Sequence, residues 1–223
     1  MGLLVGVAMG ARHALDPDHL AAVSVLAADA PGPRGGALLG ALWGVGHAAA
    51  LLGTGLVLAA VAAELPVALG DAFELAVAVM LIVLGARALR RAMRDGGAGP
   101  TRLHAHAGLS HRHAGPSAHV HLARRTMALR PLAVGVVHGL AGSGALTALV
   151  LARLPSAQLR FTYLALFSMG SIAGMCALSG LAGWPLARLA RHPRAARLLL
   201  GGVGAASALL GLIWGWPIAE RLL

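Results

Sequence analysis

The stretch Arg12-His13-Ala14-Leu15-Asp16-Pro17-Asp18-His19 places ionisable side chains and a proline between two apolar runs, residues 2–11 and 20–28. The combined segment, 2–28, is about as long as the roughly 20 to 25 residues that cross a bilayer as a helix. Ionisable side chains at membrane depth are costly, and they usually mark a substrate site, an ion pathway or a proton relay. The stretch therefore predicts a membrane segment built around a polar site.

The spacing of the polar residues requires a break in this segment. On an unbroken helix His13 and His19 are about 600° apart, so they face different directions, and Asp18 faces a third. Pro17 removes a backbone donor and clashes with the preceding turn, which predicts a kink or break. Broken helices line ion sites near the midplane of many transporters. The alternative is a polar cap outside the membrane, with Asp16 or Asp18 beginning a helix.

The chemistry of these side chains favours a transition-metal ion. Imidazole suits Ni, Co, Cu, Zn and Fe, and a carboxylate adds a harder oxygen donor. Asp16 could be a ligand, a partner for Arg12, or an outer acceptor that orients an imidazole.

The composition excludes a soluble domain. The chain is 58% hydrophobic and 12% charged, whereas about a quarter of the residues in soluble domains are charged. The net charge of +10 is typical of nucleic-acid binders, but basic residues spread over membrane loops are better explained as topology signals, so we expect no nucleic-acid partner. A single cysteine, Cys176, excludes a disulfide framework.

Hydropathy predicts an all-α, polytopic membrane protein with one transmembrane domain over residues 1–223. The loops on one side of the membrane would carry fourteen arginines, against three on the other. The positive-inside rule makes the arginine-rich side, which includes loop 90–130, cytoplasmic, and it places both termini outside a bacterial inner membrane. About six spans are expected, at 2–28, 36–62, 70–89, 131–152, 161–183 and 197–217.

A weak internal similarity relates the two halves of the chain. Gly10-Ala11-Arg12-His13 aligns with Gly135-Val136-Val137-His138 at an offset of 125. The run 42–47 aligns with 166–171 at an offset of 124. Three spans in each half would place the two copies in opposite orientations, so the similarity predicts a 3+3 inverted repeat.

Two further polar positions lie in apolar runs. His47 follows glycines at 44 and 46, which let another backbone come close; it is either a metal ligand or a histidine bonded to a neighbouring helix. His138 and Ser143 lie in a glycine-rich interruption of the fourth span. They could supply a second, transient ligand or a gate, or they could reflect close helix packing.

A histidine tract occupies the long loop 90–130. Six histidines form three His-x-His pairs, a composition that binds divalent metal. The tract could be a store, a sensor or a hand-off point, or its histidines could be incidental in a disordered segment. The residues are His104, His106, His111, His113, His119 and His121.

The first motif resembles the first-helix signature of the nickel/cobalt permease (NiCoT) family, whose wider group includes NicO-type and urease-accessory UreH-like membrane proteins. The resemblance implies a Ni²⁺ or Co²⁺ transporter with His13, Asp18 and His19 as metal-site residues. Gly46-His47 is similar to the Gly-His-Ser element of the second helix in that family, which implies His47 as a fourth ligand. Six spans suit the NicO and UreH-like branch.

We therefore expect a secondary transporter that moves Ni²⁺ and/or Co²⁺ across the inner membrane, with uptake favoured. The metal ion is the substrate, no cofactor is expected, the chain is not an enzyme, and a cytoplasmic metallochaperone is a candidate partner. The alternatives are efflux by the same fold, an accessory protein that delivers nickel to an enzyme such as urease, and a membrane metalloenzyme or haem protein with paired histidines.

Overall fold

The computed structural model describes residues 2–27, 32–60, 65–94, 103–106, 109–112, 125–141, 154, 156–189 and 192–223. These parts of the chain form seven helices and two short strands. The elements are α1 (Gly2–His13), α2 (Pro17–Ala27), α3 (Pro33–Ala60), α4 (Val67–Arg94), β1 (Leu103–His106), β2 (Leu109–Arg112), α5 (Arg125–Leu140), α6 (Ala157–Leu189) and α7 (Pro193–Leu222).

The first apolar segment is broken where the sequence predicts. Helix α1 ends at His13 and α2 begins at Pro17. Between them the amide of Leu15 donates to the carbonyl of Arg12 over 2.9 Å, and the amide of Asp16 donates to the carbonyl of His13 over 3.0 Å. Proline is favourable at the first position of a helix, where its missing N–H is not needed. The predicted break is therefore confirmed, and it lies on the N-terminal side of the proline.

Four of the described helices are long and apolar enough to cross a bilayer. Helices α1 and α2, with 12 and 11 residues, are each too short to do so alone. Of the predicted fourth segment, 131–152, the structure describes residues 131–141, nearly all of them in α5, and residues 142–152 lie outside the described residues. The long apolar helices support an all-α, multi-pass membrane protein. They cover Pro33–Leu58, Val67–Arg94, Ala157–Leu189 and Arg194–Leu222.

Helices from the two halves of the chain pack against each other in parallel pairs. Along α1 and α6, Gly6 lies against Tyr163 and Gly10 lies against Phe167, so these helices run in the same direction. Helices α3 and α5 also run in the same direction. Trp43 lies against Gly135, and Ala50 lies against Gly139.

Two other pairs of helices are antiparallel. Ala78 on α4 lies against Gly211 of α7, whereas Ala92, further along α4, lies near Gly201. Helices α3 and α6 are also antiparallel, since Gly36 lies against Ser179 and Gly44, further along α3, lies against the earlier residue Ile172 of α6. At one end of the α4–α7 pair, Asp71 and Arg221 form an ion pair with a distance of 2.7 Å.

Glycine makes the parallel crossings close. A Cβ at either of two glycines would overlap a carbonyl oxygen of the facing helix, so only glycine fits the observed spacing. These are Gly10 of α1, against Phe167 and Ser171 of α6, and Gly135 of α5, against Trp43 and His47 of α3. The two contacts join residues that correspond to each other in the internal sequence alignment. The reverse contacts also correspond: Gly46 lies against Leu132, and Gly170 lies against Val7.

The packing places polar side chains inside and large apolar ones outside. The buried polar residues include Asp18, His19, His47 and His138. Leu198 and Ile213 are 76% and 73% exposed, as suits a surface in contact with lipid tails. This distribution puts the polar cluster at the centre of the bundle, between α1, α2, α3 and α5.

The long loop contains a short hairpin within the histidine tract. Strands β1 and β2 pair antiparallel, with His104 opposite His111 and His106 opposite Leu109. The other loop histidines, at 113, 119 and 121, lie outside the described residues.

Candidate metal centre

The break between α1 and α2 carries three of the polar side chains of the centre. His13 is the last residue of α1, and Asp18 and His19 lie in the first turn of α2. A carboxylate in a first turn is favourable because the amide groups there give the helix a partial positive charge. The break thus brings the end of one helix and the start of another to the same place. His47 from the middle of α3 and His138 from the last turn of α5 complete the group.

Three histidines from three helices form the first triad. One candidate ligand nitrogen from each of His13, His19 and His47 lies within 4.8 Å of the others. The ring centroids are 4.5 Å apart for His13 and His19, 5.2 Å for His13 and His47, and 5.5 Å for His19 and His47. Ligand atoms around one tetrahedral ion are roughly 3.4 Å apart, because metal–nitrogen bonds are about 2.1 Å long. Small side-chain movements would therefore suffice for all three to bind one ion.

Carboxylates fix the orientation of two of these rings. Nδ1 of His13 lies 2.7 Å from Oδ2 of Asp16, and Nδ1 of His19 lies 3.0 Å from Oδ1 of Asp18. With Nδ1–H as the donor in each pair, Nε2 keeps its lone pair for a metal ion. Metal-binding histidines are commonly held in this way, and the carboxylate makes the imidazole a stronger ligand.

Asp18 also reaches a second set of ligands. Its Oδ2 lies 3.2 Å from Nε2 of His138, and the rings of His19 and His138 have centroids 4.7 Å apart. Ligand atoms of Asp18, His19 and His138 lie within 4.8 Å of one another, and all three residues are buried. This second triad shares His19 with the first. The two oxygens of one carboxylate therefore contact imidazoles on two sides.

Several buried polar atoms at the centre have no hydrogen-bond partner among the described residues. They include Nε2 of His13 and His19, both ring nitrogens of His47, and Nδ1 of His138. A buried polar atom without a partner costs about 1–3 kcal/mol, and native proteins contain few of them. Their concentration at one point is typical of a site that binds a ligand, and the donor set fits a transition-metal ion.

Aromatic side chains form the walls of the centre. The ring of Trp43 lies 5.2 Å from that of His19 and 5.5 Å from that of His138, and Phe167 lies 5.4 Å from His13. Both aromatic residues are buried. These roles are not predicted from the sequence. A signal was available, because Trp43 and Phe167 occupy corresponding positions in the two aligned runs.

The structure groups the predicted ligands differently from the sequence. His13, Asp18, His19 and His47 all lie at the centre, where their ligand atoms fall into the two triads. His138 accompanies Asp18, and Asp16 contacts His13 and is 51% exposed. Ser143 lies outside the described residues. The histidine tract occupies a separate part of the chain.

The fold and the centre define a multi-pass helical membrane protein with a buried His/Asp cluster. The chain is 26% identical over 210 residues to the urease accessory protein UreH of Bacillus sp. (strain TB-90), an alignment that covers 94% of this chain and 88% of the relative. The resemblance to UreH-like membrane proteins drawn from the motifs is thereby confirmed over nearly the whole chain.

The relative is named as an accessory protein, which agrees with the expectation that this chain is not an enzyme. No protein-family profile matches the chain, and no solved structure matches it.

Proposed function

We propose that the protein is a secondary transporter that carries Ni²⁺ and/or Co²⁺ across the bacterial inner membrane. The substrate ion binds at the first triad, His13, His19 and His47, with Asp18 beside it. The observation that carries this proposal is the convergence of three imidazoles at the break between α1 and α2. Those of His19 and His47 are buried and that of His13 is partly buried, and carboxylates hold two of the three. Stable burial of such groups is costly unless an ion binds them.

The donor set fits the substrate. Neutral imidazoles with one nearby carboxylate suit late divalent first-row metals, and Ni²⁺ lies high in the order of affinities. Zn²⁺ and Cu²⁺ bind the same donors, so selectivity must come from the geometry that the helices impose. Asp18 supplies one negative charge close to the ion and Asp16 a second one further away, which together oppose the charge of the dication.

Alternating access by a 3+3 inverted repeat is the mechanism that we propose. Two facts support it: the glycine crossings of α1 with α6 and of α5 with α3 join corresponding residues, and all four helix pairs have the directions that six alternating spans require. In transporters of this type, the two repeats move against each other around a central site. With the arginine-rich loops in the cytoplasm, both termini lie outside.

Uptake of ⁶³Ni²⁺ and ⁵⁷Co²⁺ into proteoliposomes tests the proposal. We expect the wild type to accumulate at least one ion, and His13→Ala and His47→Ala to lose uptake. Ser179→Ala is the matched control, because Ser179, like His47, is buried but lies at the α3–α6 contact away from the centre. If the wild type moves neither ion under imposed ion and proton gradients, the transporter proposal is wrong.

A second candidate function is an accessory role that delivers nickel to an enzyme such as urease. The name of the UreH relative favours it, and the histidine tract could pass ions to a cytoplasmic metallochaperone. Cells that lack the gene would then have low urease activity that excess nickel restores, while the purified protein alone would move no ion. Efflux by the same fold predicts the opposite change in cellular nickel on expression, a fall in place of a rise.

A further inference from the structure

The two triads share one residue, His19, so an ion at one triad lies close to the ligands of the other. His19 belongs both to the set with His13 and His47 and to the set with Asp18 and His138. The ring centroids of His13 and His138 lie 4.5 Å and 4.7 Å, respectively, from that of His19. An ion held by one set is therefore a short distance from the other.

We expect the two positions to be filled one at a time. Both draw on His19, and two divalent cations held around one buried imidazole would repel each other strongly. The donor sets also differ, since the first offers three imidazoles and the second offers two imidazoles and a carboxylate. The second position is therefore less nitrogen-rich, with an anionic oxygen donor in place of one imidazole.

We propose that Asp18, His19 and His138 form a second position for the transported ion, and that the ion steps between the two triads through His19. This inference rests on the proposed transport function. His13 and His47 come from the first half of the chain and His138 from the second. The step therefore passes the ion from ligands of one half to a ligand of the other, which is the movement that alternating access needs.

Trp43 lines the second triad. Its buried ring lies against both His19 and His138, so it forms a wall along one side of that position.

The test uses full-length protein in which the six loop histidines are replaced by alanine, so that binding reports on the bundle. Equilibrium binding of ⁶³Ni²⁺ in detergent and uptake into proteoliposomes are measured for wild-type bundle residues, His138→Ala, His138→Asn, His47→Ala and the control Ser179→Ala. We expect His47→Ala to weaken binding about tenfold or more. We expect both His138 variants to bind within about threefold of the parent but to transport at least about tenfold more slowly.

Two results would overturn the inference. One is transport by the folded His138 variants at the parent rate, and the other is a loss of binding in them as large as in His47→Ala, which would indicate one composite site. A second measurement does not depend on His138. His13→Ala leaves the second triad complete, so X-ray absorption of its Ni²⁺ complex should show two imidazoles and a carboxylate; absence of this complex at millimolar Ni²⁺ also contradicts the inference.

Failure of the transport proposal can be told apart from failure of this inference. If the parent protein moves no ion, the transporter proposal is wrong. The coordination of Ni²⁺ in His13→Ala still decides whether the second position exists. If the parent transports normally and the His138 variants do too, transport stands and the second position falls.

Discussion

Asp16 holds His13 from outside the cluster, with its Oδ2 2.7 Å from Nδ1 of the imidazole. The carboxylate is half exposed, yet through this bond it fixes the ring whose other nitrogen faces the centre. His13 ends α1 and Asp16 lies in the turn that leads to α2, so the break itself supplies the orienting group.

Removal of the Asp16 carboxylate should weaken metal binding without removing a ligand. We expect Asp16→Ala to lower the affinity for Ni²⁺ by about tenfold, at the lower end of the range for such outer partners because Asp16 is exposed. Asp16→Asn, whose amide oxygen can still accept from Nδ1, should lose less. Equilibrium ⁶³Ni²⁺ binding measures both, with Glu220→Ala as a control for loss of an exposed acid. Equal affinities in Asp16→Ala and the control would show that the bond is not functional.

Gly135 should be intolerant of a side chain. A Cβ at this position would overlap the Trp43 carbonyl, so Gly135→Ala must separate α5 from α3 and should cost about 1–3 kcal/mol of stability. Thermal unfolding in detergent measures the loss. Gly53→Ala is the matched control, since nothing lies within 4 Å of a Cβ there. The same separation should also weaken Ni²⁺ binding, because Trp43 and His47 adjoin the crossing.

Trp43 should report the arrival of the ion. Ni²⁺ and Co²⁺ quench nearby indole fluorescence, and Trp43 lies against His19 and His138, whereas Trp184 and Trp216 are 53% and 70% exposed. We expect saturable quenching by either ion that disappears in Trp43→Phe and weakens in His47→Ala. Quenching that persists unchanged in Trp43→Phe would place the bound ion elsewhere.

Metal binding by the loop should depend on pH. An imidazole must be neutral to bind, and its ordinary pKa is about 6.5, so loop binding is present above this pH and is lost as pH falls below it. We expect the stoichiometry of bound Ni²⁺ to fall between about pH 7.5 and about pH 5.5. Replacement of the six loop histidines by alanine should remove the ions lost in this interval. If the replaced protein binds as many ions as the parent at pH 7.5, the tract does not bind metal.

The helical class and the break in the first segment follow from local information. An apolar run interrupted by ionisable residues and Pro17 has few alternatives, because both the cost of buried charge and the shape of proline act over short distances. The sequence leaves three roles open for Asp16, and in the structure its carboxylate contacts His13.

The grouping of ligands could not be predicted in the same way. Whether Asp18 faces His13 or His138 depends on how α5 approaches the broken segment, and that approach is set by glycine contacts between residues far apart in sequence, such as Gly46 and Leu132. Hydropathy predicts that the helices exist, but it does not predict which helices pack against each other. The walls formed by Trp43 and Phe167 follow from the same long-range crossings.

The parallel packing of α1 against α6 also constrains how the chain is made. A ribosome completes the break, with its acids and histidines, some 140 residues before it has synthesised the helix that covers Gly10. Until then the first segment must wait in the membrane without its partner. A chain that stops before residue 157 would leave that face uncovered, so insertion of the first half alone should give a product that proteases remove.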